Sequence, residues 1–169
     1  QILTGYLNSI IYLVAGTIYN LLLTIPAAYA LSKKGLMGGS LVMKMIVFTM
    51  YFGGGLVPTY IVCTQVLGLN ENYGALIVPM LVNPFNIIVM RTFFANSIPS
   101  DLHDAARVDG INDCGYLFKI VLPLSKAIFS VIILYYAVGH WNSYFTAMIY
   151  CRDPALHTLQ QILRDILNN

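Results

Sequence analysis

His103, Asp104 and Asp109 come nearest, by type and spacing, to residues that do chemistry. A histidine beside a carboxylate can shuttle a proton, and with a second carboxylate it can hold a divalent cation. The spacing argues against both. The two aspartates are five residues apart, so on a short helix they do not stack on one face, and a capped, solvated helix face accounts for all three. The sequence has no His-Glu-x-x-His, no Gly-x-Ser-x-Gly and no matched set of cysteines and histidines. Cys63, Cys114 and Cys151 follow no disulfide or zinc spacing. Nor is there a Gly-x-x-x-x-Gly-Lys-Ser/Thr loop to cradle nucleotide phosphates. The expectation is a chain without catalytic residues, metal ligands or a directly bound cofactor.

The remaining polar residues of interest interrupt apolar runs. Asn83, Asn86, Asn142, Gln65 and Thr59 must turn from lipid toward neighbouring helices or a water-filled route. Gly53, Gly54, Gly55 and Pro58 can break helical geometry, and two readings fit them. Interrupted helices line transport pathways because freed backbone groups need protein or water, whereas small residues also let helices pack closely in lipid. Tyr51, Tyr60, Tyr135 and Tyr136 carry the same ambiguity between packing and ligand contact.

The elements that must position these residues are apolar helices. Hydrophobic residues make up 58% of the chain and charged residues 9%, where a soluble domain carries about 25% charged. Residues 1–32, 45–70, 72–90 and 127–151 contain no Asp, Glu, Lys or Arg, and about 20 apolar residues cross a bilayer core. The predicted architecture is an all-α polytopic bundle in one membrane domain, 1–169, with four spans at about 7–31, 41–67, 73–94 and 121–149. The opening at Gln1 lacks a charged n-region and does not read as a signal peptide; the sequence is read as a fragment.

Lys33, Lys34, Lys44, Arg91, Arg107, Lys119 and Lys126 fall at one face of this plan, and Arg152 and Arg164 at the other. Basic residues in short loops are retained in the cytoplasm, which puts the loop 98–120 inside and both ends outside. The turn Gly68-Leu69-Asn70-Glu71-Asn72 then lies outside. Trp141, Tyr144 and Tyr150 fit an interfacial belt, with His140 beside them. The net charge of +2 is dispersed, so nucleic acid is not an expected partner.

Beyond Asp153-Pro154, Leu156, Leu159, Ile162, Leu163, Ile166 and Leu167 recur at helical spacing opposite Gln160, Gln161, Arg164 and Asp165. That is an amphipathic helix over 155–167, suited to lie on the membrane, on the protein or against a partner. The alternative is a secondary transporter or channel for a small polar solute, which would usually carry intramembrane charge for ion coupling; no charged residue sits near the centre of a span, which disfavours it.

The segment from Ile98 to Gly110 is punctuated as a short helix. Pro99 precedes or opens it, Ser100 or Asp101 can cap it, and Gly110 can end it in a left-handed cap. Leu102, Ala105 and Ala106 share a face, and small side chains there admit a close neighbour, either another surface or the ends of the spans. Asn112 or Asp113 can cap a second helix, 114–122, interrupted at Pro123.

Asp104-Ala105-Ala106, then Gly110, then Ile120, Leu122 and Pro123 resemble the signature loop of binding-protein-dependent ABC permeases: Glu-Ala-Ala, three residues, Gly, nine residues, Ile, any residue, Leu-Pro. The spacing agrees throughout, with Asp104 in place of the usual Glu. Phe52 to Tyr60, Asn83-Pro84-Phe85-Asn86 with Met90 to Phe94, and Val138-Gly139-His140-Trp141-Asn142 are similar to the carbohydrate-uptake branch, in particular to permeases for complex plant oligosaccharides. The resemblance implies a sugar importer in the bacterial cytoplasmic membrane whose members have six spans, so that the first and last are missing here. It implies that an ABC ATPase subunit, which uses ATP, docks on Asp104, Ala105, Ala106, Asp109, Gly110, Ile120, Leu122 and Pro123. A second permease subunit would complete the path, and an external sugar-binding protein would deliver substrate.

Overall fold

The structure, a computed structural model, describes residues 2–33, 35–69 and 71–168. Gln1, the second lysine of the basic turn, Lys34, the middle of the 68–72 turn, Asn70, and Asn169 lie outside the described residues. The chain is 81% helical, with no strand among the described residues.

Helix α1 (Ile2–Ser32) is 31 residues long and carries Pro26 inside it. At 1.5 Å per residue it reaches about 46 Å, more than a bilayer core of about 30 Å. It is the one described helix long and apolar enough to cross a membrane by itself, and up to four crossings result if each of three bent helix pairs counts as one. Leu3, Leu7, Val14 and Leu22 remain exposed along it, a surface suited to hydrocarbon.

The second apolar run is divided into α2 (Gly39–Tyr51) and α3 (Leu56–Ile61), which continues as a π-helical turn, Val62–Val66. Phe52 to Gly55 form the break, where Gly55 sits at φ 85°, a left-handed conformation open to glycine. In the third run, α4 (Tyr73–Ile77) tightens into a 3₁₀ turn, Val78–Met80, before α5 (Pro84–Ser97). Then come α6 (Ser100–Val108), α7 (Asp113–Tyr116) with a π-helical turn Leu117–Val121, and the short α8 (Leu122–Leu124). Proline tolerates the first turn of a helix, so Pro123 lies within α8; the interruption expected there falls instead at Ser125, where the axis turns by 86° into α9 (Lys126–Trp141). Helix α10 (Tyr144–Tyr150), a 3₁₀ turn Pro154–Leu156 and α11 (Leu159–Asn168) complete the chain.

The residues gather into two compact units. One comprises 1–22, 52–82 and 134–169. Tyr12, Cys63, Ala75, Leu76, Ala147, Tyr150 and Cys151 form its core. Tyr150 is therefore a core residue, stacked on Tyr60 at 5.6 Å, rather than part of an interfacial belt. Polar side chains of α1 tie the tail down. Asn8 Nδ2 donates to the carbonyls of Ala155 and His157 at 2.8 and 3.1 Å, Tyr12 Oη donates to Leu156 O at 3.1 Å, and Ser9 Oγ accepts from Leu159 N at 2.9 Å. The Glu71 carboxylate accepts the backbone N–H groups of Arg152 and Asp153, each at 2.9 Å.

The tail helix begins at Leu159 rather than Ala155, because Asp153 Oδ1 caps the preceding turn through Ala155 N at 2.9 Å. The helix is amphipathic as expected, but the chain leaves much of its apolar stripe uncovered. Gln161 is buried, whereas Leu163, Ile166 and Leu167 are exposed. The tethers through Asn8 and Ser9 roll the helix so that the apolar stripe is only partly covered.

The other unit comprises 23–51 and 83–133. It buries Ile87, Met90 and Phe94 of α5 with Ala106, Tyr116 and Val121 of the loop region. Arg91 Nε donates to Leu31 O at 3.2 Å, satisfying a carbonyl at the end of α1.

Candidate functional site

The loop between α5 and α9 is built from interlocking caps. Pro99 occupies the N-cap position of α6 with no side-chain cap bond, so neither Ser100 nor Asp101 caps the helix. The fixed φ of proline and the acid in the first turn do that work. At the other end Gly110 sits at φ 74°. Its N–H donates to Arg107 O at 3.1 Å and Ile111 N–H to Ala106 O at 2.9 Å, the paired bonds of a glycine-terminated helix. Asn112 then caps α7 through Gly115 N at 2.7 Å. Two rigid turns thus meet at one glycine.

A charged cluster fastens this loop to the end of α1. Asp113 Oδ1 accepts from Lys33 Nζ at 2.5 Å and lies 3.3 Å from His103 Nε2. Lys33 Nζ sits 4.8 Å over the Tyr29 ring, and His103 packs edge-on against Tyr116 at 5.1 Å. The Lys33 ammonium, and after it the His103 ring, hold the Asp113 carboxyl below the usual carboxylate range. His103 is accordingly a tether and not merely part of a solvated face; Asp104, at 77% side-chain exposure, is solvated.

The shared face of α6 divides. Ala106 is buried at 3% while Ala105 and Leu102 stay exposed. Ala106 therefore packs within the unit, and close approach from outside falls to Ala105. Asp109, Gly110 and Pro123 are exposed and Ile120 and Leu122 half-buried. Among the described residues no three His, Cys, Asp or Glu side chains gather as a metal site.

The residues proposed for a path are placed as follows. Gly53 and Gly55 face open space, and a Cβ on Gly54 would meet only Pro58 at 3.7 Å. Asn142 is exposed past the end of α9. In the other unit, Asn83 caps α5 through Phe85 N at 3.0 Å and Asn86 is 2% exposed.

Sequence reasoning missed Asn20 and took His140 for an interfacial residue. Both are buried, at 0% and 5%, and they are paired at 2.7 Å. The available signal was an asparagine in mid-helix, flanked by uncharged apolar residues, which at membrane depth demands a partner.

The description "Binding-protein-dependent transport system inner membrane component" matches residues 2–168. The chain belongs to this family. Among its relatives, the polygalacturonan/rhamnogalacturonan transport system permease protein YtcP of Bacillus subtilis (strain 168) is 45% identical over 161 residues, covering 95% of this chain and 56% of the relative. Protein LplC of the same strain is 42% identical over 158 residues, covering 94% and 53%. The crystal structure of a bacterial ABC transporter involved in the import of the acidic polysaccharide alginate contains a chain that superposes with a TM-score of 0.91 at 38% identity, over 96% of this chain and 57% of that one. The chain spans about half the length of the curated relatives it matches. As an inner membrane component it is membrane-embedded, which accounts for the exposed leucines and valines of α1.

Proposed function

We propose that this chain forms part of the solute path of an ATP-driven importer for oligosaccharides or polysaccharide fragments. One observation carries the reading: α6 and α7 meet at Gly110, are capped by Gly110 and Asn112 and fastened by Asp113, and carry the signature spacing from Asp104 to Pro123. Nucleotide-driven motion must cross a protein interface, and only a rigid element transmits it. An ABC ATPase subunit docks on this loop in the cytoplasm and hydrolyses ATP, so the chain performs no covalent chemistry itself. The chain crosses the membrane four times, with its ends outside. A second permease subunit completes the path, and an external binding protein delivers the sugar to the outer turns and α11. The carbohydrate class follows the names of the relatives.

The complete complex in proteoliposomes, supplied with binding protein and labelled oligogalacturonides among other oligosaccharides, tests this directly. ATP-dependent uptake requiring both the ATPase and the binding protein is expected. Uptake that follows an ion gradient in the absence of the ATPase would establish the secondary-transporter alternative instead.

A further inference from the structure

The third apolar run breaks after Met80, and the break takes the α-helical i+4 partner from two carbonyls. The N–H that would reach Met80 O belongs to position 84, a proline, which has none. The N–H of Phe85, which would reach Leu81 O, is held by the Asn83 side chain at 3.0 Å. At membrane depth an unpaired carbonyl is costly. Asn20 supplies both hydrogens: its Nδ2 donates to Met80 O at 2.5 Å and to Leu81 O at 2.9 Å.

That arrangement decides the rest of the site. With its NH₂ facing two acceptors, Asn20 must present Oδ1 on its other side, where His140 Nε2 lies at 2.7 Å. The bond requires a proton on Nε2, so the histidine tautomer is set by the carbonyls of a different element. Room for the ring comes from Gly16, one turn before Asn20 on the same face of α1. A Cβ there would fall 2.5 Å from His140 Cε1 and Nε2.

We propose that Asn20, oriented by His140 over the seat at Gly16, is a positioning residue for transport that holds the C-terminal end of α4 and its 3₁₀ turn, where the helix breaks, in its working geometry. The inference rests on the importer reading above. Interrupted helices are where transporters bind solute and move, and here one side chain satisfies both freed carbonyls while a second sets its orientation. Neither side chain needs to touch solute.

The test uses the assembled complex in proteoliposomes and reads solute moved per ATP hydrolysed, normalised to monodisperse complex. His140→Leu keeps bulk and removes the donor; His140→Gln restores an N–H at similar reach; Asn20→Leu removes the hub. We expect the ratio to fall about tenfold in His140→Leu and at least as far in Asn20→Leu, the scale of a buried polar group left unpaired, with most of it recovered in His140→Gln. A wild-type ratio in His140→Leu overturns the proposal. So does equal loss of assembled complex in the Leu and Gln variants with an unchanged ratio in what remains, which would make the contact purely structural. Failure of the wild-type complex to couple uptake to ATP would overturn the importer reading, and this inference with it.

Discussion

Asp113 joins three elements through one oxygen, and its carboxyl is held below the usual range by Lys33 first and His103 second. A group with a lowered folded pKa contributes fully above its unfolded value, about 3.9 for aspartate, and loses that contribution as pH falls through the folded value. Amide hydrogen exchange over 110–121, corrected for intrinsic rates, is therefore expected to accelerate on acidification below about pH 4. Asp113→Asn is expected to remove that dependence and to speed exchange about two- to fivefold at neutral pH, the range of a solvent-exposed ion pair. Gly110 offers a second residue-scale test. A left-handed conformation costs a side-chain-bearing residue about 1–2 kcal/mol, and more with a β-branch. Gly110→Val is expected to fray the end of α6 and to reduce copurification with the ATPase, while the protein still inserts; wild-type copurification and hydrolysis would refute the docking role.

At the scale of elements, α6 presents two alanines with opposite fates. Ala106 is buried, so Ala106→Trp overpacks the unit, costs about 1–3 kcal/mol and loosens the whole loop. Ala105 is exposed, so Ala105→Trp is expected to leave exchange protection of α6 unchanged and to block ATPase docking by bulk alone. Arg107→Ala, exposed on the same helix, is expected to matter less. The contrast between Ala105→Trp and Ala106→Trp, read as copurification against exchange, separates docking from internal packing. Helix α11 makes a parallel case on the proposed outer side. It is tethered through Ser9 and Asn8, yet Leu163, Ile166 and Leu167 remain exposed. Photocrosslinkers at Arg164 and Leu167 are expected to capture the binding protein during turnover; capture of lipid alone would make α11 a surface anchor.

For the whole molecule, the proposed orientation rests on the distribution of charge. The structure brings Lys33, His103, Arg107 and Asp113 into one unit and places Glu71 with Arg152 and Asp153 in the other. Single cysteines introduced into a background lacking Cys63, Cys114 and Cys151 test which side each occupies. An impermeant thiol reagent added to intact cells is expected to label position 71 and not position 107. The reverse pattern would invert the membrane plan and remove the ATPase from the α6 loop.

Much of this was legible in the residues themselves. Charge-free apolar runs dictate membrane helices because hydrocarbon admits little else. Glycine dictated local geometry at two ends of helices: Gly110 ends α6 in the left-handed region, and Gly55 opens α3 there. Local capping spoke through near neighbours in sequence, as Asn112 and Gly115 show. What only the tertiary structure decided were the partnerships across large separations. No spacing rule links Asn20 to Met80, Leu81 and His140, or Asp113 to Lys33, because those pairs meet only when separate helices pack. Nor could periodicity tell which alanine of α6 faces inward or why Gln161 is buried while Leu167 is not. A helix pattern gives the angle between side chains, but the rotation of the helix is set by tethers elsewhere, here by Asn8 and Ser9 on α1.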